Sequence, residues 1–535
     1  MNLAEYLAQF LKTNGVVRIF GLPGGENVTF VEALRAAELD FVLFHHESAA
    51  GFAAGVSGQM TGRPGVCLST VGPGAVNLVA PAAAATLERS PMLAITAEID
   101  TRQQARVRHM KLDLPRLFEG AVKGSFVLEP DSAARVLPEA WNLALAPPMG
   151  AVHIALAPDK AAFPVDGAPR TIDQARSLGF DRVALEQLKN VLLKAGQMMI
   201  LAGIGVEAAG VQDELIRLAE AWSVPVAVTP KCKGHFPESH PLYAGCYSAY
   251  GDRPLRQAMI DSDVILGVGL DSVDFVTSSW DIETPVVNMN LSGADDPALK
   301  PVVAVDGDLR EALVYLTDSP LVSKSDHGVR DKTATIRGEI SLDLHGVKTS
   351  PKKGTVLIQE LIDGLRSALP GDGIVTVDVG VFKLAFLQQW LSDKPKTLFV
   401  ANGLSAMGYA LPAAIAAKLE EPEKYVVAVL GDGALLMYAG ELATIARLQQ
   451  PLVILVVVDD ALSLIRLKQL RQEVPIHGTE FNRVDFSSLA VSFGLEYRII
   501  DGGELPVTVF EEALALRRPV LVEARIDRDE YDRFI

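Results

Sequence analysis

Cysteine is scarce in this chain. Its 535 residues include only Cys67, Cys232 and Cys246. These three lack metal-ligand spacing and are too few for a disulfide framework, so no stapled secreted scaffold is expected. Basic residues are outnumbered, 49 against 66 acidic, for a formal net charge of −17. That balance argues against a bulk nucleic-acid binder and a polybasic membrane binder, leaving room only for a local basic patch. Long apolar runs are missing too. The longest uncharged stretch, Pro64 to Leu87, is interrupted by Gly72-Pro73-Gly74, Asn77 and Pro81. It reads as strand, turn and helix, not as a membrane span. Pro451 to Val458 is apolar but short, as a buried central strand is. The start, Met1-Asn2-Leu3-Ala4-Glu5, has no basic region followed by an apolar one, so a cytoplasmic location is expected. No short-period repeat or low-complexity tract is visible.

What is present is ample core material, 49% hydrophobic residues. At about 100–200 residues per domain, the length suggests three domains. The first third alternates strand-like segments (17–20, 41–45, 66–70, 92–96) with Ala-rich helical ones (28–37, 48–60, 75–88). The second third repeats the theme with strands at 198–202, 224–229, 264–268 and 302–305. The last third does so at 374–378, 425–430, 452–458 and 520–524. Such alternation implies an α/β protein with three doubly wound parallel-sheet domains. We place them at 1–170, 180–325 and 355–535. The polar stretch 326–354 is a linker with room for a short helix. Gly203-Ile204-Gly205 resembles the start of a dinucleotide fingerprint, with Ala208 in the third glycine's place. A tight strand-to-helix turn is the simpler reading.

The chemistry sits where strands end. The 425–430 strand runs into Gly431-Asp432-Gly433, and the 452–458 strand into Asp459-Asp460. In a parallel sheet both ends lie on the carboxyl edge, where ligands bind. Two carboxylates beside a glycine turn suit a hard cation and a diphosphate. Taken alone, Gly-Asp-Gly is also a common turn and Asp-Asp a solvated strand end. In the first third, His45-His46-Glu47-Ser48 follows a strand and leads into a helix. A glutamate there is also what a helix dipole favours. Gly21-Leu22-Pro23-Gly24-Gly25 and Gly72-Pro73-Gly74 make two further tight turns after strands.

Together with Asn77 and Met407-Gly408-Tyr409-Ala410-Leu411-Pro412-Ala413-Ala414, these motifs, in order and spacing over the whole chain, resemble the thiamine diphosphate enzymes of the acetolactate synthase and 2-oxo acid decarboxylase group. The resemblance implies a pyrimidine-binding domain, a middle Rossmann-like domain and a diphosphate-binding domain. It also implies a homodimer or homotetramer with sites shared between subunits. Glu47 would be catalytic, hydrogen-bonding the pyrimidine so that its exocyclic nitrogen deprotonates C2; a glutamate in an apolar pocket can keep its proton for this. Met407 would prop the cofactor into its V shape, with the Ser405 carbonyl accepting from the amino group. Pro23, Gly24, Asn77, Gly431, Gly433 and Ala434 would complete the cofactor contacts, with Lys383 offsetting diphosphate charge. Mg²⁺ would be held by Asp432, Asp459 and the Ala461 carbonyl. Asp459 departs from the family's usual asparagine.

The reaction follows from what the motifs omit. Pyruvate-decarboxylase-like enzymes, which this chain also resembles, carry an Asp in the first glycine turn, a His pair in the third loop and a Glu shortly after the metal-binding residue. Here those places hold Gly25, Val71-Gly72-Pro73-Gly74 and Ile465. The expected function is therefore an acetolactate synthase-like carboligase, decarboxylating one 2-oxo acid and joining it to a second carbonyl. A benzoylformate decarboxylase-type lyase is the alternative, with water or His45, His46 or His109 as acid–base groups; a catalytically idle cofactor-binding paralogue is a minor one. The match to the synthases is imperfect, since Met110 replaces a typical Gln and Ser48 another, while Lys123 is retained. Nothing in 267–280 looks like a flavin-contacting stretch, so FAD is not inferred.

Overall fold

The computed structural model of the chain describes residues 1–172, 179–248, 252–275, 280–319, 328–345 and 350–534. Among them are three six-stranded sheets, each wholly parallel. The first contains β1 (Arg18–Gly21), β2 (Asp40–Leu43), β3 (Gly65–Ser69), β4 (Met92–Ala97), β5 (Ser125–Val127) and β6 (Ala151–Leu156), in the order β2-β1-β3-β4-β6-β5. The second contains β7 (Met198–Ala202), β8 (Val226–Val228), β9 (Tyr243–Cys246), β10 (Val264–Val268), β11 (Val286–Asn290) and β12 (Val303–Asp306), in the order β12-β11-β10-β7-β8-β9. The third contains β13 (Ile374–Val377), β14 (Leu398–Val400), β15 (Val426–Gly431), β16 (Val453–Val458), β17 (Glu496–Ile500) and β18 (Val520–Arg525), in the order β14-β13-β15-β16-β18-β17. The inner strands β3, β4, β10 and β16 are buried along their whole length. That is why they read as unbroken apolar runs: both faces are covered by helices.

The chain forms two compact units. One comprises residues 1–176, 404–423 and 436–450; the other comprises 177–403, 424–435 and 451–535. In the first, the helices Glu47–Thr61, Pro73–Leu87 and Ala410–Glu420 pack together. Residues 47–58 and 410–419 are all buried. Gly51 permits the approach, since a Cβ there would lie 2.5 Å from the Pro81 ring. The second unit has a core that spans its two sheets, including Leu201, Ile265, Phe386, Trp390, Val429 and Leu455.

Two expectations meet specific structure here. The polar stretch 326–354 carries a 17-residue helix, Val329–His345. Ile336 and Ile340, one turn apart, are both buried, and Ile340 packs on Gly245 of β9. The glycines after β7 serve turn-to-turn packing. Gly203 N–H donates to Val268 O and Gly205 N–H to Gly269 O, both at 2.9 Å. A Cβ on Gly203 would lie 2.5 Å from the Gly269 oxygen. Part of the segment 267–280, residues 276–279, lies outside the described residues.

Candidate active site

In the first unit, β2 ends at Leu43 and the next helix opens with Glu47. His46 is its N-cap, its Nδ1 accepting from Ser48 N–H at 3.0 Å. Glu47 is buried, 7% exposed, at the start of a helix whose residues 47–58 are all buried. One carboxylate oxygen accepts from Asn77 Nδ2 at 3.0 Å. The other lies 3.2 Å from where a Cβ on Gly74 would be, so the glycine keeps the carboxyl's pocket open. Ser48 Oγ donates to the Asn77 carbonyl at 2.6 Å, tying the two helix starts together. The Pro23-Gly24 turn abuts the same region: a Cβ on Gly24 would overlap Thr70 Oγ1 at 2.3 Å. Glu47, Asn77, Gly24 and Gly74 thus converge on one carboxyl edge.

Beside the Gly72 turn lies a small apolar patch. Val71, Ala97 and Ile99 form a small buried cluster with Val107 and Met110 against it. Met110 packs on Gly72, where a Cβ would lie 2.9 Å from it. Lys123 donates to the Ala146 carbonyl, and burial, with Arg89 nearby, pulls its pKa down to about 8. Ser405 is exposed with a left-handed φ of 53°. Met407 is half-buried, and Gly408 follows it at φ 87° beneath the Tyr438 ring.

In the second unit, Asp432 directly follows β15 and Asp459 directly follows β16, neighbouring strands in register. Asp432 is buried, and its oxygens accept from its own neighbour Gly433 N–H at 2.7 Å and from Asp460 N–H at 2.8 Å. Asp459 accepts from Ala461 N–H at 3.1 Å. Burial raises the pKa of Asp432. Burial, and then the charge of Asp432, push Asp459 up to about 7. A buried carboxyl penalised further by its neighbour's charge is one that a divalent cation would neutralise. An antiparallel bridge pairs Ala461 with Glu480, made by Leu462 N–H to Thr479 O and Phe481 N–H to Asp460 O. The Ala461 carbonyl takes part in neither bond. Among the described residues no three His, Cys, Asp or Glu side chains cluster for a metal, so the remaining ligands would have to be carbonyl, diphosphate or water oxygens.

Lys383 is buried and turned to the loop after β14. Its ammonium donates to Ala401 O at 2.6 Å and Asn402 Oδ1 at 3.2 Å. Ile465, where a decarboxylase's glutamate would fall, is 45% exposed and carries no proton. Sequence reasoning missed Glu441, which is 1% exposed and accepts from the backbone N–H groups of His45 and His46. Its available signal was Thr444 three residues on, sharing a helix face.

Three family models describe the chain in sequence. Residues 1–117 match the thiamine pyrophosphate enzyme N-terminal TPP binding domain, 185–316 the central domain, and 378–524 the C-terminal TPP binding domain. The acetolactate synthase large subunit of Corynebacterium glutamicum is 30% identical, over 99% of this chain and 87% of its own length. A probable acetolactate synthase large subunit of Methanocaldococcus jannaschii is 29% identical, over 99% and 93%. The Escherichia coli acetolactate synthase isozyme 2 large subunit is 28% identical, over 99% and 96%.

Proposed function

Because this chain belongs to the thiamine pyrophosphate-dependent enzymes, alongside the acetolactate synthase large subunits, we propose that it is a carboligase that joins a decarboxylated 2-oxo acid to a second carbonyl compound. The observation that carries the choice is the apolar edge beside Glu47. Gly25 has open space where a Cβ would stand, and Val71, Ile99 and Met110 flank Gly72. Gly25, Val71 to Gly74 and Ile465 thus put no proton donor in the three places where a pyruvate-decarboxylase-like enzyme carries one, which favours capture of the carbanion by a carbonyl carbon instead.

Thiamine diphosphate, when bound, supplies the nucleophilic carbon and the electron sink for loss of carbon dioxide. The protein's residues then bind, orient and move protons. Glu47 holds a proton at the pyrimidine ring, aimed by Asn77 from one side and given room by Gly74. Asp432, Asp459 and the Ala461 carbonyl would hold Mg²⁺, and Gly431, Gly433 and Ala434 the diphosphate beside it. Ser405 and Met407 would contact the aminopyrimidine, and Pro23 and Gly24 would close its edge. The Lys383 ammonium, engaged by Ala401 and Asn402, acts through that loop.

The domain boundaries we propose remain 1–170, 180–325 and 355–535. We further propose a cytoplasmic homo-oligomer with Glu47 and Asp432 of each site drawn from different subunits. Three free buried cysteines suit a reducing compartment, and none of the described helices is long and apolar enough to cross a membrane. Product analysis over a panel of 2-oxo acids, with and without acceptor carbonyls, tests the function. Carbon–carbon-joined products are expected; stoichiometric free aldehyde with no joined product would favour the lyase reading. Mixing the inactive Glu47→Gln and Asp432→Ala variants should restore some activity if sites are shared.

A further inference from the structure

The Glu47 carboxyl can only be as well placed as the backbone that precedes it. That backbone leaves an edge strand: β2 pairs with β1 alone. Its last ladder bond is Phe44 N–H to Gly21 O. The next two amides, of His45 and His46, have no strand to bond. Glu441 Oε1 accepts from both, at 3.1 and 3.0 Å. Its Oε2 accepts from Thr444 Oγ1 at 2.6 Å, and His45 Nδ1 meets that hydroxyl at 3.0 Å. Arg447 from the same helix, Glu441–Leu448, donates to the Leu43 carbonyl. One helix therefore grips four consecutive residues, Leu43 to His46, at both ends. Gly440 lets it come close, with a Cβ there 3.4 Å from His45 Cβ. The Tyr438 ring, just before, meets the His46 ring edge-on at 5.3 Å and covers Gly408, the residue after Met407.

We propose that Glu441 is a positioning residue for the reaction. Its carboxylate fixes the His45 and His46 amides and so sets where the Glu47 carboxyl stands. This rests on the reading of Glu47 as the group that holds the pyrimidine proton. A carboxylate suits the task because three donors converge on its two oxygens and each bond is charge-assisted. The His46 cap and Glu47 follow within two residues, too short a tether to absorb a backbone shift. A displacement of about 1 Å at a reacting group can cost on the order of 100-fold in rate.

The test compares Glu441→Ala, Glu441→Gln, Glu47→Gln and the Glu47→Gln/Glu441→Ala double variant. The readouts are the exchange rate of the cofactor C2 proton in the holoenzyme, the melting temperature, and amide exchange at residues 44–48 of the cofactor-free chain. Glu441→Ala should slow C2 exchange about 10- to 100-fold and deprotect the 45–46 amides, with thiamine diphosphate still bound. Glu441→Gln keeps an acceptor oxygen and should remain within about threefold of wild type. The double variant should be no slower than Glu47→Gln alone, because Glu441 acts through Glu47. Unchanged C2 exchange in Glu441→Ala, or an equal further loss in the Glu47→Gln background, overturns the proposal even where the melting temperature falls. Unchanged exchange in Glu47→Gln instead removes the role of Glu47, and this one with it. Should Glu441→Ala not fold, Thr444→Val frees the carboxylate from one donor; a slowing of about 2- to 5-fold is expected, and no change overturns the proposal.

Discussion

The first and third sheets have the same strand order and opposite chemistry. Position for position, β2-β1-β3-β4-β6-β5 corresponds to β14-β13-β15-β16-β18-β17. After the third strand of each comes a glycine turn into a helix: Gly72-Pro73-Gly74 in one, Asp432-Gly433 in the other. After the fourth comes a carboxylate, Glu98 or Asp459, and burial raises the pKa of both. The difference lies in what the edges gather. Asp432 and Asp459 are charges set side by side on neighbouring strands, a pair that asks for a cation. Glu47 instead faces an amide, Asn77, within a packed helical layer, the place where we propose that a proton is handled. On the proposed reading, a shared topology supplies the edge, and the residues at each strand end set its role, metal binding at one and proton handling at the other.

The comparison can be broken first at the third sheet. Asp432→Ala should weaken Mg²⁺ by about 100-fold or more, read by metal titration with cofactor occupancy, and Asp459→Ala similarly. Asp459→Asn should be mild, since the amide oxygen still ligates. It should also stabilise the metal-free chain. A carboxyl raised to about 7 in the folded state, from 3.8 unfolded, costs stability as pH rises from about 4 to 7, and the cost persists above 7. At pH 8 removing it should gain about 1–2 kcal/mol after solvent screening, and nothing below pH 4. Urea titrations at the two pH values check the sign; equal stability at pH 8 would remove the carboxyl pair from the account.

At the first sheet, Gly74→Ala should lower C2 exchange roughly 10-fold while shifting the melting temperature by only a few degrees. The added methyl meets Glu47 at 3.2 Å and the Thr70 methyl at 2.9 Å. A variant with wild-type exchange would show that Glu47 has slack.

The effect that leaves the reaction itself untouched belongs to His153, buried on β6 between Thr96 and Ser125 and stacked on Phe118 at 4.0 Å. Burial lowers its pKa to about 3 from 6.5. The unfolded chain therefore binds one more proton between those values, and stability falls as pH drops through 6.5 toward 3. His153→Gln should flatten that slope by up to about 1.4 kcal/mol per pH unit, measured by denaturant unfolding at pH 4 to 7.

Much of this was legible from residue order. Buried parallel strands announce themselves as runs such as Val453-Ile-Leu-Val-Val-Val458, and the turns after them by glycine. What escaped was short or mixed. β5 and β14 have three residues each, too few for a period. β17, Glu-Tyr-Arg-Ile-Ile, carries two charges. The helix Val329–His345 hides because only scattered apolar residues, Ile336 and Ile340 among them, mark its buried side. On the proposed site, Glu47, Asp432 and Asp459 could be singled out because their neighbours in sequence are also their context. Lys383 was read as a diphosphate counter-charge, whereas its ammonium is held by Ala401 and Asn402. Glu441 was invisible as a partner because the amides it accepts lie 395 residues away.

The division of labour between the two edges is tested most directly by one variant, Glu47→Gln, measured two ways on the same preparation. Calorimetric titration reads Mg²⁺ and thiamine diphosphate binding, and deuterium exchange reads the cofactor's C2 proton. The account predicts binding within a few-fold of wild type, because Asp432 and Asp459 are untouched, and C2 exchange slowed by at least ~100-fold, the lower end of a general acid–base contribution. Wild-type exchange with the cofactor bound would contradict it.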